Sequence, residues 1–231
     1  MNIRTDGLRL VAEDEGQQVG EATLRQEPPR VWVEQLHADR PGVDEELFRA
    51  ALDRARELER ELAHARDATT SGRVYVQTDD EAAVERAARQ FIPRLGRSEH
   101  TEISPPRNGW IAVADELCSR EPKLLRRLAQ ELSYRSGGVV LSLGIEEGAV
   151  VRYILFDRGG IADEYASVPE FHGPLAPGDV IALGANPTVA RRLTGADPNA
   201  VRAVARTASS PAELPPAPEL LRQIAQVLGV A

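Results

Sequence analysis

The stretch AVVRYILFDRGGIADEYASVPEFHG, residues 149–173, decides how the second half of this chain folds. It predicts an apolar strand, a turn at Gly159 and Gly160, and a second strand that ends before Pro169. Nearly every position of the first strand is apolar, which is typical of a strand covered on both faces of its sheet. The second strand carries two adjacent acidic residues, and we expect it to be more exposed.

The residues on either side of this stretch extend the prediction. Residues 139–145 alternate in polarity as a half-buried strand does, so residues 139–168 predict an antiparallel β-meander. A helix with a leucine stripe precedes the meander and is expected to cover one face of it. Residues 176–231 predict a helical tail, because Asn186, Asp197 and Ser210 each precede a proline, as N-cap residues often do.

The first half of the chain, residues 1–97, predicts strands and helices in the order β-β-β-α-β-α. A polar segment at residues 98–109 contains Pro105, Pro106 and an Asn-Gly pair, and it predicts a linker between two domains. Residues 110–231 then form the second domain. The predicted fold class is α+β, with an α/β domain first and a small α+β domain after it.

The segment VWVEQLHADRPGVDEELFRAALDRARELE, followed by RVYVQTDDEAAVERAARQFIPRLGR, resembles the GNAT acetyltransferase superfamily. In that family an R-x-x-G-x-G/A loop leads into a helix whose N-terminal amides hold the pyrophosphate of acetyl-CoA. The resemblance covers roughly residues 8–97 and implies a GNAT-like fold. It also implies Arg40 and Gly42 as cofactor-binding residues, if the chain is a divergent acyl-CoA-dependent N-acyltransferase.

The loop departs from the family pattern directly after Gly42. Small residues are expected there, whereas this chain has Val43 followed by the acidic residues Asp44, Glu45 and Glu46. Acidic side chains stabilise a helix N-terminus themselves and repel a pyrophosphate. The sequence therefore predicts a degenerate loop and no cofactor.

Composition restricts the other classes of function. The formal net charge of −8 argues against a general nucleic-acid binder. The arginine-rich helices that follow Asn186 nevertheless leave a nucleic-acid-associated factor as an alternative. Cys118 is the single cysteine and the four histidines lack ligand spacing, so we predict no metal site.

Composition also indicates where the protein works. No apolar run reaches the roughly 18–20 residues that span a bilayer, and the N-terminus lacks the apolar core of a signal peptide. We therefore expect a cytoplasmic protein with no membrane partner. The bias toward arginine, alanine, glycine and proline is typical of a bacterial protein.

The segment from residue 163 to residue 173 is the best candidate for a binding site. Aromatic residues make up 4% of the chain, yet several of them fall in or beside the meander. Core packing is the simpler explanation, and we expect it for Tyr153 and Phe156. The functional alternative is a recognition surface or pocket mouth formed by Tyr165, Glu170, Phe171 and His172.

These patterns favour one function over two alternatives. No catalytic residue is predicted, and the leading hypothesis is a non-catalytic interaction or regulatory protein that binds a protein partner or itself. A divergent acyltransferase and a nucleic-acid-associated factor are the alternatives.

Overall fold

The computed structural model describes residues 2–27, 30–40 and 42–231, with only the backbone described for residues 27 and 61–69. The chain divides into two compact units, an N-terminal unit of residues 1–66 and a C-terminal unit of residues 67–231. Both sheets are antiparallel and pack against helices, so the mixed α+β class is confirmed.

The N-terminal unit is a four-stranded meander with one helix. Its strands follow the order β1-β2-β3-β4 in the sheet. Leu10, Ala22 and Leu24 of the sheet form a buried cluster with Leu47 and Ala51 of the helix. The elements are β1 (Asn2–Asp6), β2 (Arg9–Asp14), β3 (Gln17–Glu27), β4 (Arg30–Ala38) and α1 (Val43–Thr69).

The C-terminal unit is built on a six-stranded sheet with the order β10-β9-β8-β5-β7-β6. Its strands are β5 (Ser71–Gln77), β6 (Thr101–Ile103), β7 (Trp110–Asp115), β8 (Val139–Glu146), β9 (Val150–Asp157) and β10 (Gly160–Ala166). Its helices are α2 (Glu81–Leu95), α3 (Glu116–Arg120), α4 (Pro122–Ser136), α5 (Pro177–Ala182), α6 (Pro187–Thr194), α7 (Pro198–Val204) and α8 (Ala217–Val227). The antiparallel meander predicted for residues 139–168 is present as β8, β9 and β10.

Helices cover both faces of this sheet. Ile154 and Phe156 point to the layer that contains α2 and α4. Tyr153 and Leu155 point to the opposite layer, which contains α6, α7 and α8. The expectation that this apolar strand is covered on both faces is therefore confirmed.

The segment predicted as a helical tail forms much of this second layer. Leu220 and Ile224 of α8 are buried in the same cluster as Tyr153, because an amphipathic helix gains stability by burying its apolar face. Asn186 caps α6, and Asp197 caps α7, as their positions before proline predict. Ser210 precedes only a short 3-10 turn at Pro211–Glu213.

The division between units differs from the boundary that the sequence suggested. Strand β5 pairs with both β7 and β8, with Val74 opposite Val113 on one side and Ser142 on the other. The segment at residues 98–109 therefore lies within the C-terminal unit. The elements predicted in the order β-β-β-α-β-α are divided between the two units, because long-range pairing determines where β5 lies.

Two glycines allow close packing around β5, since Gly144 lets β8 approach it and Gly72 lets α4 approach it. A Cβ atom built on Gly144 would lie 2.5 Å from the carbonyl oxygen of Ser71. One built on Gly72, in the neighbouring strand, would lie 2.4 Å from a methyl carbon of Leu125 in α4. The hydroxyl of Ser119 donates to the Gly72 carbonyl at 2.8 Å, so α3 is held against the same place.

None of the described helices is long and apolar enough to cross a membrane.

Candidate functional site

Tyr165 lies in the core and does not contribute to the predicted recognition surface. Its ring is fully buried and stacks on Tyr153 with the ring centroids 5.2 Å apart. Its phenol donates a 2.8 Å hydrogen bond to the carbonyl oxygen of Arg206, a residue in the segment that follows α7. Burial raises the pKa of the Tyr165 phenol, so it stays protonated at neutral pH.

A buried carboxylate lies next to this aromatic pair. Asp163 accepts a hydrogen bond of 2.7 Å from the Tyr153 phenol and further bonds from the backbone N–H of Asn186. Burial raises the pKa of Asp163, although these hydrogen bonds act in the opposite direction. This cluster joins β9 and β10 to the start of α6, which is a structural role.

The remaining residues of the predicted surface lie in the loop after β10. His172 is exposed, and its ring meets the partly buried ring of Phe171 edge-on at 5.1 Å. Its Nε2 lies 3.3 Å from Oε2 of Glu146, and its Nδ1 lies 3.7 Å from Oε1 of Glu147. Glu170 accepts a hydrogen bond from the backbone N–H of Leu175 at 3.1 Å. These contacts fasten the loop to the turn between β8 and β9.

The space beneath this contact is small. Glu146 is only 8% exposed, and its Oε1 lies 3.5 Å from Nε of Arg152. The adjoining cavity has a volume of about 30 Å³ and is lined partly by the serine residues Ser119 and Ser142. A volume of this size is sufficient for a water molecule. The contacts of His172 tether the loop, and its role as a recognition surface stays a prediction.

The lone cysteine lies in a protected position. Cys118 is buried. Burial, together with the charge of Asp115, raises the pKa of the Cys118 thiol. A thiol in such a setting is a poor nucleophile. Among the described residues no group of three His, Cys, Asp or Glu side chains is arranged to hold a metal ion.

Asp115 itself has a capping role. It accepts hydrogen bonds from the hydroxyls of Ser98 at 2.7 Å and Thr101 at 2.6 Å, and from the backbone N–H of Cys118 at 3.0 Å. Burial alone would raise the pKa of Asp115, but the hydrogen bonds from Thr101, Ser98 and the backbone and side chain of Cys118 together outweigh it and hold the pKa below its ordinary value.

Arg40 and Gly42 lie just before α1, and both are engaged with carboxylates. Arg40 forms an ion pair of 3.0 Å with Asp14. The backbone N–H of Gly42 donates to Oδ1 of Asp44 at 3.1 Å, and two more acidic residues complete the first turn of the helix. A role in acetyl-CoA binding remains a prediction.

A groove on the described part of the C-terminal unit lies at a place that the sequence did not indicate. It has a volume of about 650 Å³ and lies between α4, α2 and the turn that joins β9 to β10. Tyr134 is 71% exposed, which is unusual for so large an aromatic side chain. We call this the Tyr134 groove; its walls include Phe91, Arg127, Gln130, Tyr134, Arg158 and Gly159.

Hydrogen bonds hold the turn beside the groove in place. The side-chain amide of Gln130 donates to the Gly159 carbonyl at 3.1 Å, and the Gly159 N–H donates to the Ser133 hydroxyl at 3.0 Å. Tyr134 rests against the same glycine, since a Cβ atom added there would lie 3.0 Å from the Cβ of Tyr134. The groove is thus formed by anchored elements.

The charges in the groove are uneven. Glu131 forms an ion pair with Arg135 at 2.6 Å, which offsets its negative charge. Arg127 is exposed, and within the described part of the chain it forms no ion pair or side-chain hydrogen bond. Arg158 is 83% exposed at its side chain, and among the described residues its side chain makes only a distant ionic contact of 3.9 Å with Asp157. Two arginines are therefore available to a ligand.

The sequence contains a weak signal for this site. Arg127 and Tyr134 are seven residues apart, which places them on one face of α4 opposite its leucine stripe. An exposed arginine-rich helix face is usually only solvated, and the pattern alone does not indicate binding. Arg191 and Arg192, at the end of α6, are exposed in the same way.

Comparisons with protein-family models, with curated proteins and with solved structures gave no significant match for this chain.

Proposed function

We propose that this chain is a non-catalytic interaction protein that binds a protein partner through the Tyr134 groove. The observation that carries the proposal is a tyrosine that is 71% exposed and lines one groove with two available arginines on anchored elements. Tyrosine and arginine are enriched among the residues that dominate binding energy at protein interfaces. A tyrosine side chain, with two rotatable bonds, also loses little conformational entropy on binding.

The placement of the polar groups that could react favours binding over catalysis. The Cys118 thiol is buried with a raised pKa, and the Tyr153 phenol donates to Asp163 in the core. Both His172 ring nitrogens face carboxylates of the β8–β9 turn. These groups hold the fold together and are poorly placed to attack a substrate.

The proposal extends to the N-terminal unit and to the setting of the protein. We propose that this bacterial-type, cytoplasmic protein keeps part of a GNAT-like arrangement whose loop no longer binds acetyl-CoA. Support comes from the Gly42 amide, which donates to Asp44 and so is not free for a phosphate oxygen. Acetyl-CoA at millimolar concentration should then leave the melting temperature unchanged, because a ligand stabilises only a protein that it binds.

Comparative affinity capture tests the main proposal. The purified chain, Tyr134→Ala and Phe48→Ala would each be used to recover partners from the same extract, with quantitation by mass spectrometry. Phe48 is a matched control because it is an aromatic residue that is 48% exposed in the N-terminal unit. We expect partners that are retained by Phe48→Ala and lost by Tyr134→Ala. Recovery that is the same for all three proteins would overturn the proposal.

A further inference from the structure

We infer that the occupant of the Tyr134 groove is a short acidic peptide segment of the partner, in which carboxylates alternate with apolar side chains. This inference rests on the proposed function and specifies the chemistry of the partner. It is carried by the charge, the lining and the turn geometry of the groove.

Helix α4, which forms one wall of the groove, carries a net positive charge, whereas the net charge of the whole chain is negative. Within α4, Lys123, Arg126, Arg127 and Arg135 oppose Glu131 alone, so four positive charges less one negative charge leave +3. The whole chain carries −8. Arg126 pairs with Glu164 at 3.2 Å and Arg135 pairs with Glu131 at 2.6 Å. The uncompensated charge of the helix therefore includes Arg127, which lines the groove.

The second arginine of the groove occupies an unusual backbone position. Arg158 has a φ of 51° and Gly159 has a φ of 83°, which is the geometry of a tight hairpin turn that favours Asn, Asp or Gly at its first central position. A bulky residue in the left-handed region is unfavourable for folding, and such residues occur often at binding sites. Arg158 thus places its guanidinium at the groove, although its backbone conformation lowers the stability of the turn.

The lining also includes apolar surface. Phe91 of α2 is partly buried against the core, and the exposed ring of Tyr134 lies on the other side of the groove. A ligand that placed carboxylates on Arg127 and Arg158 would lay its neighbouring side chains against these rings. Apolar side chains between the acidic residues gain the most from that contact.

A peptide fits these charges better than a nucleic acid does. At physiological salt the attraction of an arginine reaches only about 8 Å, so a short peptide responds to the local positive charge of the groove. A nucleic acid strand is a longer polyanion and would meet the negative surface elsewhere on the chain, whose net charge is −8.

An array of 12-residue peptides tests the inference. The peptides would combine Asp, Glu, Lys, Arg, Leu, Phe, Ser and Gly in random order, and labelled (dT)12 would be included as the nucleic acid probe. Binding would be measured for the full chain, Tyr134→Ala, Arg127→Glu and the control Arg191→Glu, which reverses an exposed arginine outside the groove. Circular dichroism and thermal melting would establish that each variant is folded.

The expected result is a set of bound peptides rich in Asp or Glu with Leu or Phe between them. Their affinity should fall at least tenfold in Tyr134→Ala, as it does when an aromatic anchor is removed. Arg127→Glu should shift the preference toward Lys and Arg, and Arg191→Glu should change neither property.

Two other outcomes separate the inference from the proposed function. If bound peptides depend on Tyr134 but their charge preference is unchanged by Arg127→Glu, the acidic occupant is wrong and the interaction function stands. If no peptide depends on Tyr134, or if (dT)12 binds more tightly than any peptide and depends on Tyr134, the groove is not a peptide site and the proposed function fails as well.

Discussion

The phenol of Tyr153 donates a 2.7 Å hydrogen bond to Oδ2 of Asp163 inside the C-terminal unit. Because burial raises the pKa of Asp163, the folded state holds its proton more tightly than the unfolded state. The stabilising contribution of the protonated form is complete below about pH 4, the ordinary Asp pKa, and is lost as the pH rises through the folded-state pKa.

The free energy of unfolding of Asp163→Asn should therefore increase relative to that of the native protein as the pH rises. The asparagine cannot ionise, so the difference in free energy of unfolding between variant and native chain should move in favour of the variant between acidic and neutral pH. Urea denaturation at a series of pH values measures this difference. A difference that is constant with pH, or that moves in the opposite direction, would contradict the raised pKa.

Asp115 should show the opposite dependence on pH. Its folded-state pKa is lowered, so its contribution is present above the ordinary Asp pKa and is lost as the pH falls through the folded-state value. At neutral pH we expect Asp115→Asn to lower the free energy of unfolding by about 1–3 kcal/mol, the value of hydrogen bonds to a charged group. The same denaturation series should show this gap closing in acid, and a gap that persists there would refute the assignment.

Tyr165 should behave as a core residue. Tyr165→Ala removes a fully buried ring that stacks on Tyr153, and we expect a loss of about 3–5 kcal/mol in the free energy of unfolding. Tyr165→Phe removes only the bond to the Arg206 carbonyl and should cost about 1 kcal/mol. Chemical denaturation of both variants checks the order, and equal losses would show that the ring contributes nothing beyond its hydroxyl.

Gly144 should tolerate no side chain. A methyl group there would lie 2.5 Å from the backbone oxygen of Ser71, and backbone cannot move aside without disturbing the pairing of β5 and β8. We expect Gly144→Ala to cost roughly 2–3 kcal/mol, as overpacking of a dense core does. Gly178→Ala is the control, since a methyl group at that position in α5 meets nothing within 4 Å. If both variants melt at the native temperature, the close approach of these strands is wrong.

Arg158 should destabilise its own turn. Arg158→Asn places a residue that accepts a positive φ at this position, and we expect a gain of up to about 1 kcal/mol in the free energy of unfolding. Glu15, with a φ of 51° before Gly16, offers the same change in the N-terminal unit. Differential scanning calorimetry compares the two variants. Only Arg158→Asn should also weaken capture by the Tyr134 groove, and a stabilised variant with full capture would remove Arg158 from the site.

The meander could be predicted from the sequence because its signals are local. Polarity alternates along residues 139–145, and Gly148 and Gly159 follow charged residues at the two tight turns. Strand β8 spans Val139–Glu146 in the structure. N-cap residues before proline are an equally local signal, and they correctly predicted the starts of α6 and α7.

The position of β5 could not be predicted in this way. Its valines indicate a strand, but Val74 pairs with Val113 and Ser142, which lie far along the chain. A strand pattern carries no information about which distant strand will pair with it. The boundary between the units therefore lies at residues 66 and 67, and the sequence pattern of residues 8–97 could not reveal that its elements are divided between two units.

Tyr165 illustrates the same difficulty for a single side chain. Adjacent acidic residues on β10 indicate an exposed strand, which makes a neighbouring tyrosine look accessible. The structure buries Tyr165 because a later segment crosses the strand, with the N–H of Ala208 donating to the Ser167 carbonyl at 2.9 Å. Conversely, Tyr134 lies on a face of α4 whose sequence pattern indicates exposure to solvent and gives no indication of binding.

The second covering layer of the six-stranded sheet has a consequence for synthesis of the chain. Helices α6, α7 and α8 leave the ribosome after the whole sheet, so the face that bears Tyr153 and Leu155 stays bare until they arrive. Bare apolar strands promote aggregation of incomplete chains. A product that terminates before α8 should therefore be handled by chaperones and proteases, and the C-terminal unit becomes native only when its last helix has been made.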